Sequence, residues 1–414
     1  MHFADTGAML KRILAVAFIF ASTAVAWAVL GATIFSRTYD STARLRGRVA
    51  STWGAGHTQT PPKACYTVTA PVRTETIEDG KKRIRITEEK FTDWLPLEST
   101  RARVDLGLDH RQKGLLWYST YTVAFAGTYL FRNPTGKEQA VTFSLDFPSA
   151  QAVYDDLIFT VNGVPAETRN EKTGVSVTAR LGPGETAKLE TGYRSRGLES
   201  WQYSFGSDVA RVRDFALRMS TNFREIDFPD NTLSPTAKRE RAEGWELAWE
   251  YKNLVSGFQI AMTMPEKLQP GPLAGKISFF APVSLFFFFF LMLIITTLRG
   301  VDLHPMNYFF LAAAFFAFHL LLAYLVDHIS IHAAFAISSA VSVFLVVSYL
   351  RLVTGLRFAA VEAGVTQLIY LVLFSYAFFF KGFTGLAITV GSILTLFAVM
   401  QMTGRIRWAE KFTR

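Results

Sequence analysis

From residue 277 onward the chain is apolar in long blocks broken by short polar punctuation. The blocks 277–298, 306–326, 333–350, 358–380 and 385–402 are each close to the length that, at about 1.5 Å per helical residue, crosses a hydrocarbon core of about 30 Å. Their separators, 299–305, 327–332, 351–357 and 381–384, are too short to hold a domain. Helices joined this way run up and down, because lipid offers no partner to unpaired backbone groups. The pattern predicts a five-helix transmembrane bundle over 277–402, with a polar tail at 403–414.

The amino-terminal end carries one more apolar run. Lys11 and Arg12 close a short segment, 1–12, and precede an Ala-rich stretch over 13–35. Ala24-Val25-Ala26 and Ala26-Trp27-Ala28 resemble cleavage sites, but the apolar run continues past both to Phe35. That length predicts a retained signal anchor rather than a removed leader. Residues 36–56 read as a helical stalk, with Leu45, Val49 and Trp53 on one stripe.

From 57 to 268 the period changes to two. Alternating runs at 65–70, 83–87, 117–131, 140–147, 157–161, 175–180, 187–193, 201–205, 215–221, 245–251 and 258–264 read as strands. Turn signals at Asn133-Pro134-Thr135-Gly136, Asn162-Gly163 and Gly182-Pro183-Gly184 separate several of them. Many short strands with hairpin turns predict an all-β, sandwich-like domain or a pair of small β units. The fold class is therefore a polytopic α-helical membrane protein, one helix plus five, with an inserted extracytoplasmic β domain. A linker at 265–273, containing Pro270-Gly271-Pro272, returns the chain to the bundle.

Composition changes this picture little. A formal charge of +9 would suit a nucleic-acid binder. The excess lies largely beside the apolar spans instead of on a dense basic face, so it reads as an orientation signal and no nucleic-acid partner is expected. A single cysteine, Cys65, excludes an intrachain disulfide, and no Cys/His pattern or cofactor motif is present. In the C-terminal block, Arg299, Arg351, Arg357, Arg405, Arg407, Lys411 and Arg414 fall on one side, with Lys381 opposite. Positive flanks are cytoplasmic, which places both termini inside and the β domain outside. The first helix conflicts, because Arg37, Arg44, Arg46 and Arg48 follow it while only Lys11 and Arg12 precede it. The several loops of the C-terminal block outweigh this, since the charge rule weakens before a long folded domain.

Leu303-His304-Pro305-Met306-Asn307-Tyr308, a long apolar helix and then Asp327-His328 resemble a stretch of the CreD inner-membrane proteins, the colicin-tolerance family. The order of parts is similar too: an anchor, a large β-rich external domain, then five helices. Ser51-Thr52-Trp53-Gly54, Leu95-Pro96, Gln112-Lys113-Gly114-Leu115-Leu116-Trp117 before Tyr121, Gly391-Ser392 and Thr403-Gly404-Arg405 are further echoes. The family's Gly-Pro after the stalk is Thr60-Pro61-Pro62 here, and its acidic pair before the last helix falls near the uncharged Thr384-Gly385. The resemblance implies a bacterial inner-membrane protein tied to envelope integrity and a two-component stress response.

Candidate chemistry is sparse. His319 lies mid-span, where it can stay neutral and hydrogen-bond a neighbour. Glu362 lies about one turn inside its span near Arg351 and Arg357, so an interfacial ion pair is favoured over a proton or substrate site. Asp327, His328 and His332 could make a small metal site if His328 and His332 were i, i+4 on a helix, but a polar loop cap is the better reading. His304 before Pro305 reads as a helix start. Trp201, Trp245, Trp249 and Tyr251 read as β core. There is no His-Glu-x-x-His, Gly-x-Ser-x-Gly or phosphate loop. Three functions remain: a non-enzymatic envelope protein whose external domain binds an envelope protein or cell-wall component, a transporter or channel using His319 or Glu362, and an intramembrane enzyme. The first fits best; beyond that partner, the lipid bilayer is the only one expected.

Overall fold

The computed structural model describes residues 3–78, 81–113, 116–165, 167–206, 209–380 and 382–404. Lys381, Arg405, Arg407, Lys411 and Arg414, which enter the charge argument, lie outside the described residues, as do Gly114 and Leu115. The chain divides into two compact units. One comprises Met1–Arg44, Gly114–Leu116 and Leu268–Arg414; the other comprises Leu45–Lys113 and Trp117–Lys267.

Helix α1 (Phe3–Trp53) is continuous, so the apolar run and the stalk are one element. α2 (Pro270–Phe279) and α3 (Ala281–Arg299) follow the β unit in sequence. The block expected as one helix over 277–298 is thus two, parted at Phe280. Pro282 explains the break: it has no N–H to continue the ladder and fits only the first turn of a new helix. Likewise Pro270-Gly271-Pro272 opens α2 instead of extending a linker. Then come α4 (Pro305–Leu325), α5 (Ile331–Thr354), α6 (Phe358–Phe379) and α7 (Thr384–Thr403). Among the described residues six helices, α1 over Lys11–Arg37 and α3 to α7, are long and apolar enough to cross a membrane. The protein is a polytopic α-helical membrane protein carrying a large β-rich insert.

Helical period sorts the five-phenylalanine run. Phe288 and Phe289 enter the bundle core while Phe286 and Phe290 stay exposed, as lipid-facing rings should. The core joins Trp27 of α1 to Leu285, Phe288, Met292, Tyr308, Phe315 and Phe318. α6 contains two π-helical turns, Phe358–Ala363 and Leu368–Leu373. α7 is peripheral, with only Thr395 and Val399 buried.

In the β unit, β1 (His57–Gln59), β2 (Lys63–Glu78), β3 (Lys81–Trp94), β4 (Leu97–Lys113), β5 (Leu116–Arg132) and β6 (Gln139–Asp146) come first. Next are β7 (Asp155–Val161), β8 (Val164–Pro165), β9 (Arg169–Asn170), β10 (Gly174–Leu181) and β11 (Thr186–Leu198). The last are β12 (Ser200–Tyr203), β13 (Ala210–Thr221), β14 (Ala237–Arg241), β15 (Gly244–Ser256) and β16 (Ile260–Thr263). Asn162 and Gly163 both take positive φ, 53° and 79°, in the tight β7–β8 hairpin that Asn-Gly favours.

An eight-stranded sheet, β14-β15-β13-β4-β5-β11-β7-β8, is the common wall. The three-stranded sheet β1-β12-β16 covers one end of it through Val104, Tyr121, Phe215 and Trp249 against Trp201 and Met262. The five-stranded sheet β3-β2-β6-β10-β9 covers the other through Tyr129, Phe131 and Leu189 against Val141, Phe143 and Val175. β5 serves both cores with alternate residues of one face, Tyr121, Val123 and Phe125 and then Tyr129 and Phe131. Two of the sheets are mixed, since β4 pairs β13 in parallel and β1 pairs β12 in parallel, while the five-stranded sheet is antiparallel throughout. β4 and β14 are strands that periodicity passed over, because β14 is wholly exposed and the outward face of β4 is charged.

Candidate functional site

Each unit offers one candidate. In the helical unit, the residues of the Leu-His-Pro-Met stretch build the start of α4. Pro305 occupies the first turn, Leu303 is buried in the core, and His304 Nδ1 accepts from the Met306 N–H at 3.3 Å. Met306 is exposed.

Both ends of α4 are tied to α1. Arg12 pairs with Asp302 at 2.8 Å just before α4, and Arg37 pairs with Asp327 at 3.0 Å just after it. Arg37 also donates to the Ala323 carbonyl at 3.1 Å and lies over the Tyr324 ring. Between these ties Trp27 packs on Phe316 and edge-on to His319, ring centroids 5.7 and 5.4 Å apart. α1 and α4 therefore run parallel, with the two arginines the same number of residues apart as the two aspartates. That equal spacing was a sequence signal, and the sequence reading passed over it.

His319 is fully buried. Its Nδ1 lies 2.9 Å from the Phe315 carbonyl of its own helix, and its Nε2 has no hydrogen-bond partner. Glu362, in the first π turn of α6, pairs with Arg299 at 2.9 Å instead of with Arg351 or Arg357. Its second oxygen has no partner. Ser342 donates to the Ala314 carbonyl at 2.6 Å and accepts from Gln367 Nε2 at 2.8 Å, joining α4, α5 and α6. The helical spacing required of His328 and His332 does not occur: α4 ends at Leu325, and Ser330 caps a new helix between the two histidines. Asp327 is engaged by Arg37, His332 lies against the Phe379 ring, and no metal-holding cluster occurs among the described residues.

In the β unit, the face of the eight-stranded sheet turned away from both cores floors an open cleft of about 1530 Å³. Alternation places it there. Val104, Leu106, Met219 and Leu247 point into the core, so Asp105, Ser220 and Glu246 point out. Charged groups on and beside the floor are largely paired: Arg241 with Glu246 at 3.0 Å, Arg194 with Asp156 at 3.5 Å, Arg103 with Asp105 at 3.2 Å. At one rim Trp53 lies between the guanidinium groups of Arg111 and Arg196, 3.6 and 5.2 Å from its ring.

Behind the cleft wall sits a buried polar knot that sequence reading did not find. His57 Nδ1 is 2.8 Å from Tyr121 Oη, and its Nε2 is 3.0 Å from Ser195 Oγ. Tyr121 donates to the Ser200 carbonyl at 2.7 Å and Ser195 to the Val153 carbonyl at 2.8 Å. Two hydroxyls that give their protons away present only lone pairs to the ring, and a neutral imidazole has one N–H to offer. Burial nevertheless lowers the His57 pKa from 6.5 to about 4, so the ring is neutral at neutral pH. A histidine so weakly basic, beside a serine whose proton is already donated, is poorly placed to activate that serine.

Residues 213–409 match the family model described as inner membrane protein CreD. No curated protein matches the chain. Among solved structures, a nutrient binding protein from Legionella pneumophila subsp. pneumophila str. Philadelphia 1 is similar at 11% identity, over 57% of this chain and 76% of that one, with a TM-score of 0.35. An M1 zinc metallopeptidase from Deinococcus radiodurans is similar at 15% identity, over 41% of this chain and 42% of that one, with a TM-score of 0.27. The chain thus spans less than half the length of that peptidase.

Proposed function

We propose that this inner-membrane protein, CreD-like over residues 213–409, supports envelope integrity without catalysing a reaction. Both termini are cytoplasmic in this reading, and the β domain, residues 57–268, faces the periplasm. There it binds an envelope protein or cell-wall component.

The observation that supports this most is the cleft. It is large and open, its lining mixes polar and apolar side chains, and its floor charges are fixed by neighbours, which suits recognition of an extended amphipathic ligand. The orientation draws on the ties between α1 and α4, which put Lys11 and Arg12 on the same side as Arg299 and, one hairpin later, Arg351 and Arg357. Of the arginines that argued against this orientation, Arg37 is matched by Asp327 and Arg46 by Glu199.

The test is photo-crosslinking in living cells from a reactive residue at Gln151, on the cleft wall. One discrete envelope adduct is expected, reduced several-fold by Arg194→Glu in a normally accumulating protein. No adduct from Gln151, or one indifferent to Arg194→Glu, sinks the reading. A transporter is the second reading, favoured by the unpartnered His319 Nε2 within the core and by the unpartnered Gln367 Oε1 between the two π turns of α6, a feature frequent at functional sites.

A further inference from the structure

β2 and β3 pair along their whole length, from Cys65 opposite Trp94 to Glu78 opposite Lys81. β2 meets its other neighbour, β6, only from Lys63 to Tyr66. Past Tyr66 and Asp93 the two strands continue as a ribbon paired, among the described residues, only with itself. At about 3.4 Å per residue it projects roughly 40 Å. β3 is also the edge of its sheet, with a row of backbone donors and acceptors left open.

On one face Val68 packs against the core beneath the five-stranded sheet and Ala70, Val72 and Thr87 are half-buried, whereas the other face is open among the residues whose side chains are described. Directly opposed residues share a face, so Phe91 lies with Val68, while Trp94 lies with Cys65 and Ile86 with Arg73 on the other. Ile86, Phe91 and Trp94 are 68%, 46% and 56% exposed. A two-stranded hairpin is marginally stable by itself in water, so a ribbon of this length gains from a third strand.

The side chains of the edge indicate which strand. Residues 85–90 read Arg-Ile-Thr-Glu-Glu-Lys. In an antiparallel pairing of two copies about a two-fold axis, a residue on the axis faces itself and its neighbours face their mirror positions. An axis at Arg85, Glu88, Glu89 or Lys90 sets like charges face to face, and one at Ile86 opposes no charges within this stretch. An axis at Thr87 sets Arg85 against Glu89 twice and leaves no like pair among 85–89.

We propose that β3 is a homodimer edge: two copies pair antiparallel about Thr87, joining their five-stranded sheets into one. This goes beyond the cleft reading and does not depend on it.

The test uses the full chain in its native membrane with Cys65→Ser. Directly opposed strand residues have Cα atoms about 4.5–5.5 Å apart, within disulfide reach. Thr87→Cys is expected to give a disulfide-linked dimer under mild oxidation. Arg85→Cys gives little by itself, but forms one when co-expressed with Glu89→Cys. Without cysteines, Arg85→Glu lowers the dimer fraction several-fold, and Arg85→Glu with Glu89→Arg restores it. Monomeric Thr87→Cys, equal linking at 85 and 87, linking to a different protein, or a double swap that fails to restore pairing overturns the proposal.

Discussion

His57 and His319 are both fully buried, and their surroundings predict different responses to change. The His57 pKa is lowered by burial to about 4 against 6.5 in an unfolded chain. Between those values the unfolded state binds the extra proton, so stability is full above about pH 6.5 and falls as the pH drops toward 4. The loss is about 3 kcal/mol and flattens below that. Denaturation of the full chain in detergent, followed by tryptophan fluorescence, should show this slope, and His57→Gln should remove most of it. An unchanged slope in the variant would mean that another group carries it. In the bundle, His319 gives its one hydrogen bond to its own helix and Glu362 is paired at a polar end. His319→Leu and Glu362→Gln should therefore accumulate normally and still complement an envelope-sensitivity phenotype. A well-expressed variant that fails to complement would favour the transporter. His319 was visible in the sequence as a histidine inside an apolar run. His57 was not, because its partners Tyr121 and Ser195 come from strands 64 and 138 residues away.

Among elements, the legible ones were those whose burial is one-sided. β6 shows its alternation openly, with Val141, Phe143 and Leu145 buried and polar residues between them. Leu145→Asp should abolish accumulation, since it buries an unpaired charge in that core; normal levels on an immunoblot would contradict the packing. β3 was read as a five-residue strand because most of it buries nothing, and an element held only by one neighbour leaves no period to read. β11 makes a prediction of another kind. A methyl group on Gly197 would come within 2.4 Å of Tyr121 and 2.5 Å of His57. Gly197→Ala should thus destabilise the β unit by roughly 1–3 kcal/mol, the usual cost of overpacking. A melting temperature equal to wild type would show that strand β1 can shift to make room.

For the whole molecule, the order of parts was legible because apolar length and strand alternation are local properties. The seam between α1 and α4 left only the equal spacing of its arginines and aspartates to read, because it joins residues far apart in the chain. Topology can be checked with single cysteines in a Cys65→Ser background. Gly163→Cys should react with an impermeant reagent once the outer membrane is opened, and Lys11→Cys only after the inner membrane is lysed. The reverse order would invert the proposed orientation.

The seam also sets a timetable. Arg12 and Asp302 are separated by 290 residues of chain. At roughly 5–20 residues per second of synthesis, α1 is in the bilayer for some tens of seconds before its carboxylates exist. Through that interval Trp27 faces lipid and both arginines are held by water and headgroups alone. The first helix must therefore survive as a lone span, and its uninterrupted apolar length from Ile13 to Phe35 equips it to do so. A ribosome that stops short of residue 302 leaves a chain whose first helix lacks both of the carboxylates that would pair with its arginines.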